Sequence, residues 1–314
     1  MRREDVLIEA LPYIRRFYGS KIVIKVGGHA LISEELMENI TKDIVLLKFV
    51  GINPVVVHGG GPEITKLMER LGKKPRFVAG LRITDEETMK IARMVLVGDV
   101  NEKIVSLIGK HGGKGIGLSG NDGKLIVARR KEKLLVKVEG EEKEVDLGWV
   151  GDVEKINPEI LEITAEKGYI PVVAPIAVDK EGNSLNVNAD SVAGEIAIAL
   201  KASKLILLTD VPGILKDASD ESSLISSLRC EELRRMISEG IVAGGMLPKA
   251  DACLRVADEG IACHIIDGRR PHSLLLELFT DEGVGTMVEM KQNESEMRSS
   301  ANGSYSAIFL LLWI

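Results

Sequence analysis

The amino-acid sequence predicts an α/β protein, a three-layer αβα sandwich with a mostly parallel central sheet. Two observations predict this class: short β-branched runs recur along the chain, and stretches with helical periodicity fill the gaps between them. Alternation of this kind places helices on both faces of a parallel sheet. The strand-like runs are 21–26, 53–58, 170–174, 204–209 and 262–267.

The predicted helices have recognisable starting points. Residues 61–62 and 157–158 each place a proline at the first turn of a helix. Residues 84–87 fit a capping box, so we expect a long helix from there towards His111. Residues 125–150 read differently, as short strands and charged turns, and predict a hairpin excursion from the α/β body.

The composition disfavours several classes of function. The chain of 314 residues carries a formal charge of −6, and 4% of its residues are aromatic. Because nucleic-acid binding needs a basic face and stacking platforms, this balance argues against it. The sequence contains no GxxxxGK[ST] segment and no run of about 18 apolar residues, so neither a P-loop nor a conventional transmembrane helix is expected.

The cysteines bear on the cellular compartment. Cys230, Cys253 and Cys263 are odd in number and form no CxxC pair. This pattern disfavours a disulfide framework or a zinc site, and it favours a reducing cytoplasm. The N-terminus does not read as a signal peptide, because acidic residues follow its two arginines at once.

Two segments stand apart from the α/β body. Residues 4–18 place Leu7, Leu11 and Ile14 on one helical face, which fits either docking on the chain's own domain or a partner-binding arm. After Met290 the chain turns polar and then ends in AIFLLLWI. We expect this tail, 291–314, to be disordered, and we assign it no function.

Glycine clusters point to anion binding. Among the 32 glycines of the chain, Gly27 and Gly28 follow the first strand, and residues 59–61 follow the second and open a helix. Ligands of open α/β sheets bind beyond the carboxyl ends of strands, where backbone N–H groups can cradle oxyanions. Lys25, at the end of a strand that reads as buried, adds a positive charge there.

One further glycine pattern does not fit a nucleotide site. Residues 115–120 read GxGxxG, but a turn and a strand follow them where a dinucleotide fingerprint needs a helix. Three later segments place polar groups in better contexts. They are NVNAD at 186–190, LTDVPGI at 208–214 and GGMLPK at 244–249.

Seven segments in order resemble the amino acid kinase family, over roughly residues 5–290. They are IKVGGHAL at 24–31, VVVHGGGPEI at 55–64, GLRIT at 80–84, GLSGNDG at 117–123, NVNAD at 186–190, LLTDVPGIL at 207–215 and GGMLPK at 244–249. The resemblance is most specific to the members that phosphorylate N-acetyl-L-glutamate on its γ-carboxylate with ATP. It implies the amino acid kinase fold and a step of arginine biosynthesis.

The resemblance also implies roles for individual residues. The expected catalytic residues are Lys25, Lys249 and Asp190. The expected substrate-binding residues are Gly60, Gly61, Arg82 and Asn186. The expected phosphate and ATP contacts are Gly27, Gly28, Thr209, Asp210, Gly213 and Lys216. Mg²⁺ is expected to enter with ATP and to rest mainly on its phosphates, because no carboxylate cluster reads as a metal cage.

The same resemblance implies an organisation into segments. Residues 1–20 would be an oligomerisation helix, 21–183 a lobe that binds acetylglutamate, and 184–290 a lobe that binds ATP. The N-terminal helix and residues 272–286 resemble the arginine-inhibited members, which form homohexamers as trimers of dimers. The expected arginine-site residues are Tyr18, His272, Glu277 and Gly285.

Two other functions remain open on the sequence. One is an aminoadipate kinase acting on a carrier-protein-bound substrate, which shares the glycine and lysine segments. The other is a non-catalytic amino-acid sensor of the same fold, although Lys25, Asp190 and Lys249 are all present, which argues against it. We read His58 as shaping its loop, and His264 as a surface or packing residue.

Overall fold

The structure is a computed structural model that describes residues 8–28, 31, 33–138, 141–217, 219–280 and 283–289. The tail predicted to be disordered, 291–314, lies outside the described residues, as do the first residues of the predicted N-terminal helix. Within the described ranges, no helix combines the length and the apolar character that crossing a membrane requires.

The helices follow the predicted alternation. In chain order they are α1 Leu11–Phe17, α2 Glu34–Phe49, α3 Gly61–Arg70, α4 Glu86–Arg93, α5 Asn101–Lys110, α6 Glu159–Glu166, α7 Ala189–Ala199, α8 Cys230–Ser238, α9 Leu247–Asp258 and α10 Ser273–Phe279. The long helix predicted towards His111 is therefore two helices, α4 and α5, joined by a π-helical segment over Met94–Val100. Its N-cap is Asp85, whose side chain accepts a hydrogen bond from the backbone N–H of Thr88.

The strands include the five predicted runs. In chain order they are β1 Lys21–Val26, β2 Asn53–His58, β3 Phe77–Val78, β4 Leu81–Arg82, β5 Gly115–Ser119, β6 Ile126–Arg130, β7 Leu134–Val138, β8 Glu141–Val145, β9 Gly151–Ile156, β10 Ile170–Ala174, β11 Ile176–Val178, β12 Ser184–Asn186, β13 Lys204–Thr209, β14 Ser227–Arg229, β15 Ala262–Asp267 and β16 Gly285–Glu289. The hairpin predicted within 125–150 is β7–β8.

The main sheet has eight strands in the order β14-β16-β15-β13-β1-β2-β10-β5. All of its neighbouring pairs are parallel except β15–β16. Side chains of β1 alternate between two cores: Val23 belongs to the core that contains residues of α7 and α9, and Ile22 and Ile24 belong to the core that contains residues of α2 and α4. The predicted three-layer sandwich with a mostly parallel sheet is confirmed.

A smaller sheet and a short hairpin lie outside the main sheet. The smaller sheet has the order β12-β11-β6-β9, with β11 and β6 parallel. Strands β3 and β4 form a separate two-stranded hairpin. Because β12 ends at Asn186 and β4 at Arg82, these additions carry two of the predicted substrate contacts.

The cysteines do not follow the expectation. Cys253 on α9 and Cys263 on β15 form a disulfide with Cα atoms 5.1 Å apart, whereas Cys230 is free and buried. The expectation against disulfides is wrong for this pair, because the cysteine count could not reveal that α9 packs against β15. The cysteines therefore give no support for a reducing compartment.

Helix α1 is partly docked on its own domain. Phe17 is buried in the core between α1, β1 and α2, whereas Ile8 and Leu11 stay exposed. The apolar face of the N-terminal segment is thus only half covered within one chain, so both predicted uses of this helix remain open.

Candidate active site

Three loops meet at the carboxyl edge of the main sheet. Strands β13, β1 and β2 are parallel neighbours, and Val26 pairs in register with Leu208 on one side and His58 on the other. Their C-terminal ends therefore lie side by side, and the glycines that follow β1 and β2 become neighbours of the loop after β13. This is the edge at which open α/β sheets bind ligands.

A carboxylate between two lysines occupies this edge. Asp190 Oδ1 lies 2.8 Å from Lys25 Nζ, and Asp190 Oδ2 lies 3.3 Å from Lys249 Nζ. Lys25 and Asp190 are both buried, with 6% and 4% of their surface exposed. Burial alone would raise the pKa of Asp190, but the two ammonium groups outweigh it and hold the pKa below its usual value.

The start of α7 leaves the Asp190 carboxylate available for the two lysines, because another residue caps the helix. Asn188, and not Asp190, is the N-cap of α7, since its side-chain oxygen accepts hydrogen bonds from the backbone N–H groups of Asp190 and Ser191. Gly27 makes room for Lys25, because a methyl group at that position would overlap the ammonium group. The predicted catalytic residues Lys25, Asp190 and Lys249 are thus brought together.

The first of two cavities lies on one side of this group and has a volume of about 270 Å³. Every residue predicted to bind the substrate lines it. They are Gly60, Gly61, Arg82 and Asn186, and they are joined there by Lys25, Gly27, Gly28 and Asp190. The sequence reasoning missed Phe77, which also lines the cavity and whose ring centre lies 4.6 Å from the guanidinium carbon of Arg82.

Arg82 is held at the wall of the first cavity. Its guanidinium donates hydrogen bonds to the carbonyl oxygen of Gly61 (2.8 Å) and to Oγ1 of Thr65 (2.7 Å). Burial lowers the pKa of Arg82 from its usual value, but a guanidinium stays protonated in proteins. With five N–H donors, the group keeps donors for a carboxylate that enters the cavity.

The second cavity lies on the other side, with a volume of about 380 Å³. Three of the residues predicted to contact ATP, Thr209, Asp210 and Gly213, line it together with the predicted catalytic Lys249. The predicted ATP contacts Gly27 and Gly28 line the first cavity instead. Lys216 is exposed and is not among the lining residues, so its assignment stays a prediction.

The two cavities meet at the lysine pair. Asp190 lines the first cavity and Lys249 the second, and their ion pair joins the two. Gly28 also spans the boundary: a methyl group there would lie 3.3 Å from Cγ of Asp210. Two anionic ligands in these cavities would face each other across a pair of ammonium groups, as a group transfer between anions requires.

The model of the amino acid kinase family matches residues 20–267 of this chain.

The chain belongs to the amino acid kinase family.

Named relatives narrow the position within the family. The acetylglutamate kinase of Methanothrix thermoacetophila is 61% identical over 289 residues, which is 92% of this chain and 99% of that protein. The acetylglutamate kinase of Archaeoglobus fulgidus is 58% identical over 290 residues, which is 92% of this chain and all (100%) of that protein. Within the family, the chain is an enzyme of the acetylglutamate kinase group.

Solved structures agree with this fold. The N-acetylglutamate synthase of Neisseria gonorrhoeae, solved with coenzyme A and N-acetylglutamate, superposes with a TM-score of 0.79 at 25% identity and covers 93% of this chain. This chain spans 65% of the synthase. The carbamate kinase of Giardia lamblia bound to AMP-PNP, with a TM-score of 0.60 at 14% identity, covers 87% of this chain and 99% of that one and shows the shared fold alone.

The predicted arginine-site residues of this amino acid kinase lie in different surroundings. Glu277 on α10 is part of a buried chain of contacts: its Oε1 lies 2.5 Å from His264 Nδ1, and His264 Nε2 lies 2.6 Å from Lys204 Nζ. His264 is therefore more than a surface or packing residue. Burial alone would raise the pKa of Glu277, but the hydrogen bonds with His264 and with the backbone N–H of Val284 outweigh it and lower that pKa. Gly285 opens β16 beside the carbonyl of Ile265.

The other two of these residues lie nearer the N-terminal elements. His272 precedes α10 and its Nδ1 lies 2.6 Å from Oδ1 of Asp43, a buried carboxylate on α2. Tyr18 follows α1, is 73% exposed, and its ring lies over Gly51. The roles of all four residues stay predictions.

Among the described residues, no group of three or more histidine, cysteine or acidic side chains is arranged to hold a metal ion. A larger cavity of about 530 Å³ lies between α2, α3 and the π-helical segment. Charged groups of both signs, including Glu63 and Lys103, line it together with apolar side chains, but the Lys25–Asp190–Lys249 group is not part of it.

Proposed function

We propose that this enzyme transfers the γ-phosphoryl group of ATP to the γ-carboxylate of N-acetyl-L-glutamate, giving N-acetyl-L-glutamyl 5-phosphate for arginine biosynthesis. The observation that carries the proposal is the meeting of two cavities at Lys25, Asp190 and Lys249. The similarity to acetylglutamate kinases supports the choice of substrate. Both substrates are soluble metabolites, which favours a cytoplasmic enzyme.

The reaction needs alignment more than acid-base chemistry. A γ-carboxylate has a pKa of about 4.3, so it is already ionised at neutral pH and needs no general base. One of its oxygens forms a bond to the γ-phosphorus while the bond from that phosphorus to the β–γ bridging oxygen breaks, and ADP leaves with that electron pair. The lysines reduce the repulsion between the two anions.

Asp190 keeps the two lysines in place during the transfer. Its carboxylate is buried and ionised, and it contacts both ammonium groups. Without it, two like charges would repel each other at the moment when the phosphoryl group is absent. In our proposal Lys25 and Lys249 lie on opposite sides of the transferring group.

The remaining contacts recognise the acetylated amino acid. Backbone N–H groups of Gly28, after β1, and of Gly60 and Gly61, at the start of α3, would hydrogen-bond the phosphoryl and substrate oxygens. The start of a helix favours anions. Arg82 would bind the α-carboxylate with its planar fork. Asn186, whose Nδ2 lies 3.4 Å from Thr84 Oγ1, would complete recognition from the end of β12.

ATP would occupy the second cavity beside Thr209, Asp210 and Gly213. Mg²⁺ would enter with ATP and rest on its phosphates, since this ion keeps several waters and binds through few protein groups. We place acetylglutamate on a lobe of residues 21–183 and ATP on a lobe of residues 184–290, with Asn186 and Asp190 of the second lobe also lining the first cavity.

An assay of ADP release tests the function. With ATP and Mg²⁺, we expect turnover on N-acetyl-L-glutamate and none on free glutamate. Lys249→Ala should lower kcat by about 10²–10³, as losing one charge-directed contact in an oxyanion-type site does. Lys180→Ala, at an exposed lysine, is the matched control and should leave kcat unchanged.

Three outcomes would count against this function. Binding of N-acetylglutamate without turnover would favour a sensor. Turnover on a carrier-bound aminoadipate in place of N-acetylglutamate would favour the aminoadipate kinase. An unchanged rate for Lys249→Ala would remove that lysine from the chemistry.

We further propose that arginine inhibits the enzyme in a homohexamer built as a trimer of dimers. Two observations support this: Ile8 and Leu11 leave an apolar face of the N-terminal segment exposed, and Glu277 offers a buried carboxylate beside Gly283 and β16. An acidic group there suits a guanidinium. Tyr18, His272 and Gly285 would complete the site.

Truncation of residues 1–18 tests this regulation. The shortened enzyme should elute as a smaller assembly and should keep its activity while arginine no longer inhibits it, because the helix that joins dimers is gone. Size-exclusion chromatography with light scattering and an arginine titration measure the two effects. Unchanged assembly size together with unchanged arginine sensitivity would sink the idea.

A further inference from the structure

A fully buried histidine lies directly beneath the glycine loop that follows β2. His58 has 0% of its surface exposed. Its Nδ1 lies 2.7 Å from the carbonyl oxygen of Gly59, and its Nε2 lies 3.1 Å from Nδ2 of Asn101. The same Nδ2 donates a hydrogen bond to the carbonyl of Val172 on β10 (2.9 Å). A side-chain bridge therefore joins the loop to α5 and to a neighbouring strand.

These contacts allow one protonation form of the ring. A carbonyl oxygen can only accept a hydrogen bond, so Nδ1 of His58 carries the ring proton and donates a hydrogen bond to the carbonyl of Gly59. The amide nitrogen of Asn101 can only donate, so Nε2 holds a lone pair. The ring is thus a neutral imidazole whose two nitrogens have different, complementary partners, and burial supports the neutral form by lowering its pKa.

The bond to Gly59 fixes the direction of an N–H group in the active site. The carbonyl of Gly59 and the N–H of Gly60 belong to one planar trans peptide unit, so the two groups point in opposite directions. Because the carbonyl points at the buried ring, the N–H of Gly60 points away from it. Gly60, which lines the first cavity, is the N-cap of α3, where N–H groups have no intrahelical acceptor.

Glycines around this bridge leave room that any larger side chain would fill. A methyl group at Gly117 on β5 would overlap Oδ1 of Asn101, and one at Gly60 would overlap Leu96 of the π-helical segment. Gly60 also has a positive φ of 155°, a conformation that side chains disfavour. Asn101 is the first residue of α5, directly after the π-helical turn, a feature that often marks functional sites.

We propose that His58 and Asn101 are positioning residues of the transfer reaction: together they hold the Gly59–Gly60 peptide so that its N–H meets the oxygens of the transferring phosphoryl group. This inference rests on the proposed kinase function. Neither side chain touches the substrate, and neither exchanges a proton. They act through the backbone of the glycine loop. Their loss should therefore lower kcat more than it weakens substrate binding, which Arg82 and Asn186 provide.

Three substitutions test the inference by a split between kcat and KM. His58→Leu removes both bonds at similar volume and should lower kcat by about 10–100-fold, somewhat less than outright loss of an oxyanion donor. His58→Asn can still donate to the Gly59 carbonyl and should recover most of that loss. The kcat of Asn101→Leu should lie between those of His58→Leu and His58→Asn. KM for N-acetylglutamate should stay within about threefold in all three, because the carboxylate contacts are untouched.

A control separates positioning from loss of stability. Ile108→Ala, a fully buried side chain on the same helix, should lower the melting temperature and leave kcat per folded enzyme unchanged. If His58→Leu and Asn101→Leu behave like Ile108→Ala, or if His58→Asn is no better than His58→Leu, the inference is wrong.

A structural readout keeps the test independent of the assigned substrate. In a crystal structure of His58→Leu, the Gly59–Gly60 peptide should be rotated relative to the same peptide in the wild type. An unmoved peptide would overturn the inference whatever the assay shows. A wild-type enzyme without turnover on N-acetylglutamate would overturn the proposed function, and the rotation of the peptide would still decide whether His58 positions it.

Discussion

At the scale of single residues, the site depends on a few buried charges whose partners come from distant segments. Lys25, Asp190 and Lys249 are separated by long stretches of chain, yet both ammonium groups lie within about a hydrogen-bond length of the Asp190 carboxylate. A buried carboxylate with one partner removed leaves an uncompensated charge, which is strongly destabilising. The three residues are therefore coupled, and their substitutions are not expected to be additive.

The buried His58 makes stability depend on pH. Burial, only partly offset by the hydrogen bond with Gly59, lowers its pKa to about 4. Because a histidine in the unfolded chain titrates near 6.5, the unfolded state binds more protons between these values, and stability falls as pH falls from 7 towards 4. The contribution of His58 to this loss is at most about 3 kcal/mol.

Denaturant unfolding of the wild type and of His58→Asn at pH 7 and pH 4.5 measures this contribution. The free energy of unfolding should fall more steeply with acid in the wild type than in the variant. Equal slopes for the wild type and His58→Asn would mean that His58 is not held neutral.

At the scale of elements, the predictable features were those with a local signal. The strand β1 and its terminal lysine could be predicted from a β-branched run with one charge, and the helix α3 from a glycine-proline start. The role proposed for Asn101 could not be predicted, because it depends on three strands, β2, β10 and β5, lying next to the first residue of α5. The π-helical turn before it interrupts a periodicity that reads as one continuous helix.

We expect a methyl group to have opposite effects on stability at two glycines, one on β5 beside α5 and one on α5 itself. Gly117→Ala should destabilise the fold by about 1–3 kcal/mol, because the methyl group overlaps Asn101 in a packed interior. Gly109→Ala, on the exposed side of α5 with open space around it, should stabilise by about 0.5–1 kcal/mol through helix propensity. Thermal or denaturant unfolding measures both, and a stabilising Gly117→Ala would contradict the packing described.

At the scale of the whole molecule, the sheet brings two cavities to one point. The fold class could be predicted because strand and helix signals alternate along the chain. The pairing of Cys253 with Cys263 could not, since it depends on how a helix packs on a strand. Likewise, Lys216 follows a segment whose Thr209, Asp210 and Gly213 line the second cavity, but its own side chain is exposed.

In the proposed reaction, ATP in the second cavity transfers its γ-phosphoryl group to a carboxylate in the first, and the product is an acyl phosphate. Hydroxylamine converts an acyl phosphate into a hydroxamate, so trapping it during turnover reports the product directly. With N-acetyl-L-glutamate, ATP and Mg²⁺, we expect one hydroxamate for each ADP that the wild type forms. Over the same time, we expect Lys249→Ala to form neither ADP nor hydroxamate. Release of ADP without hydroxamate, or no ADP from the folded wild-type enzyme, would contradict it.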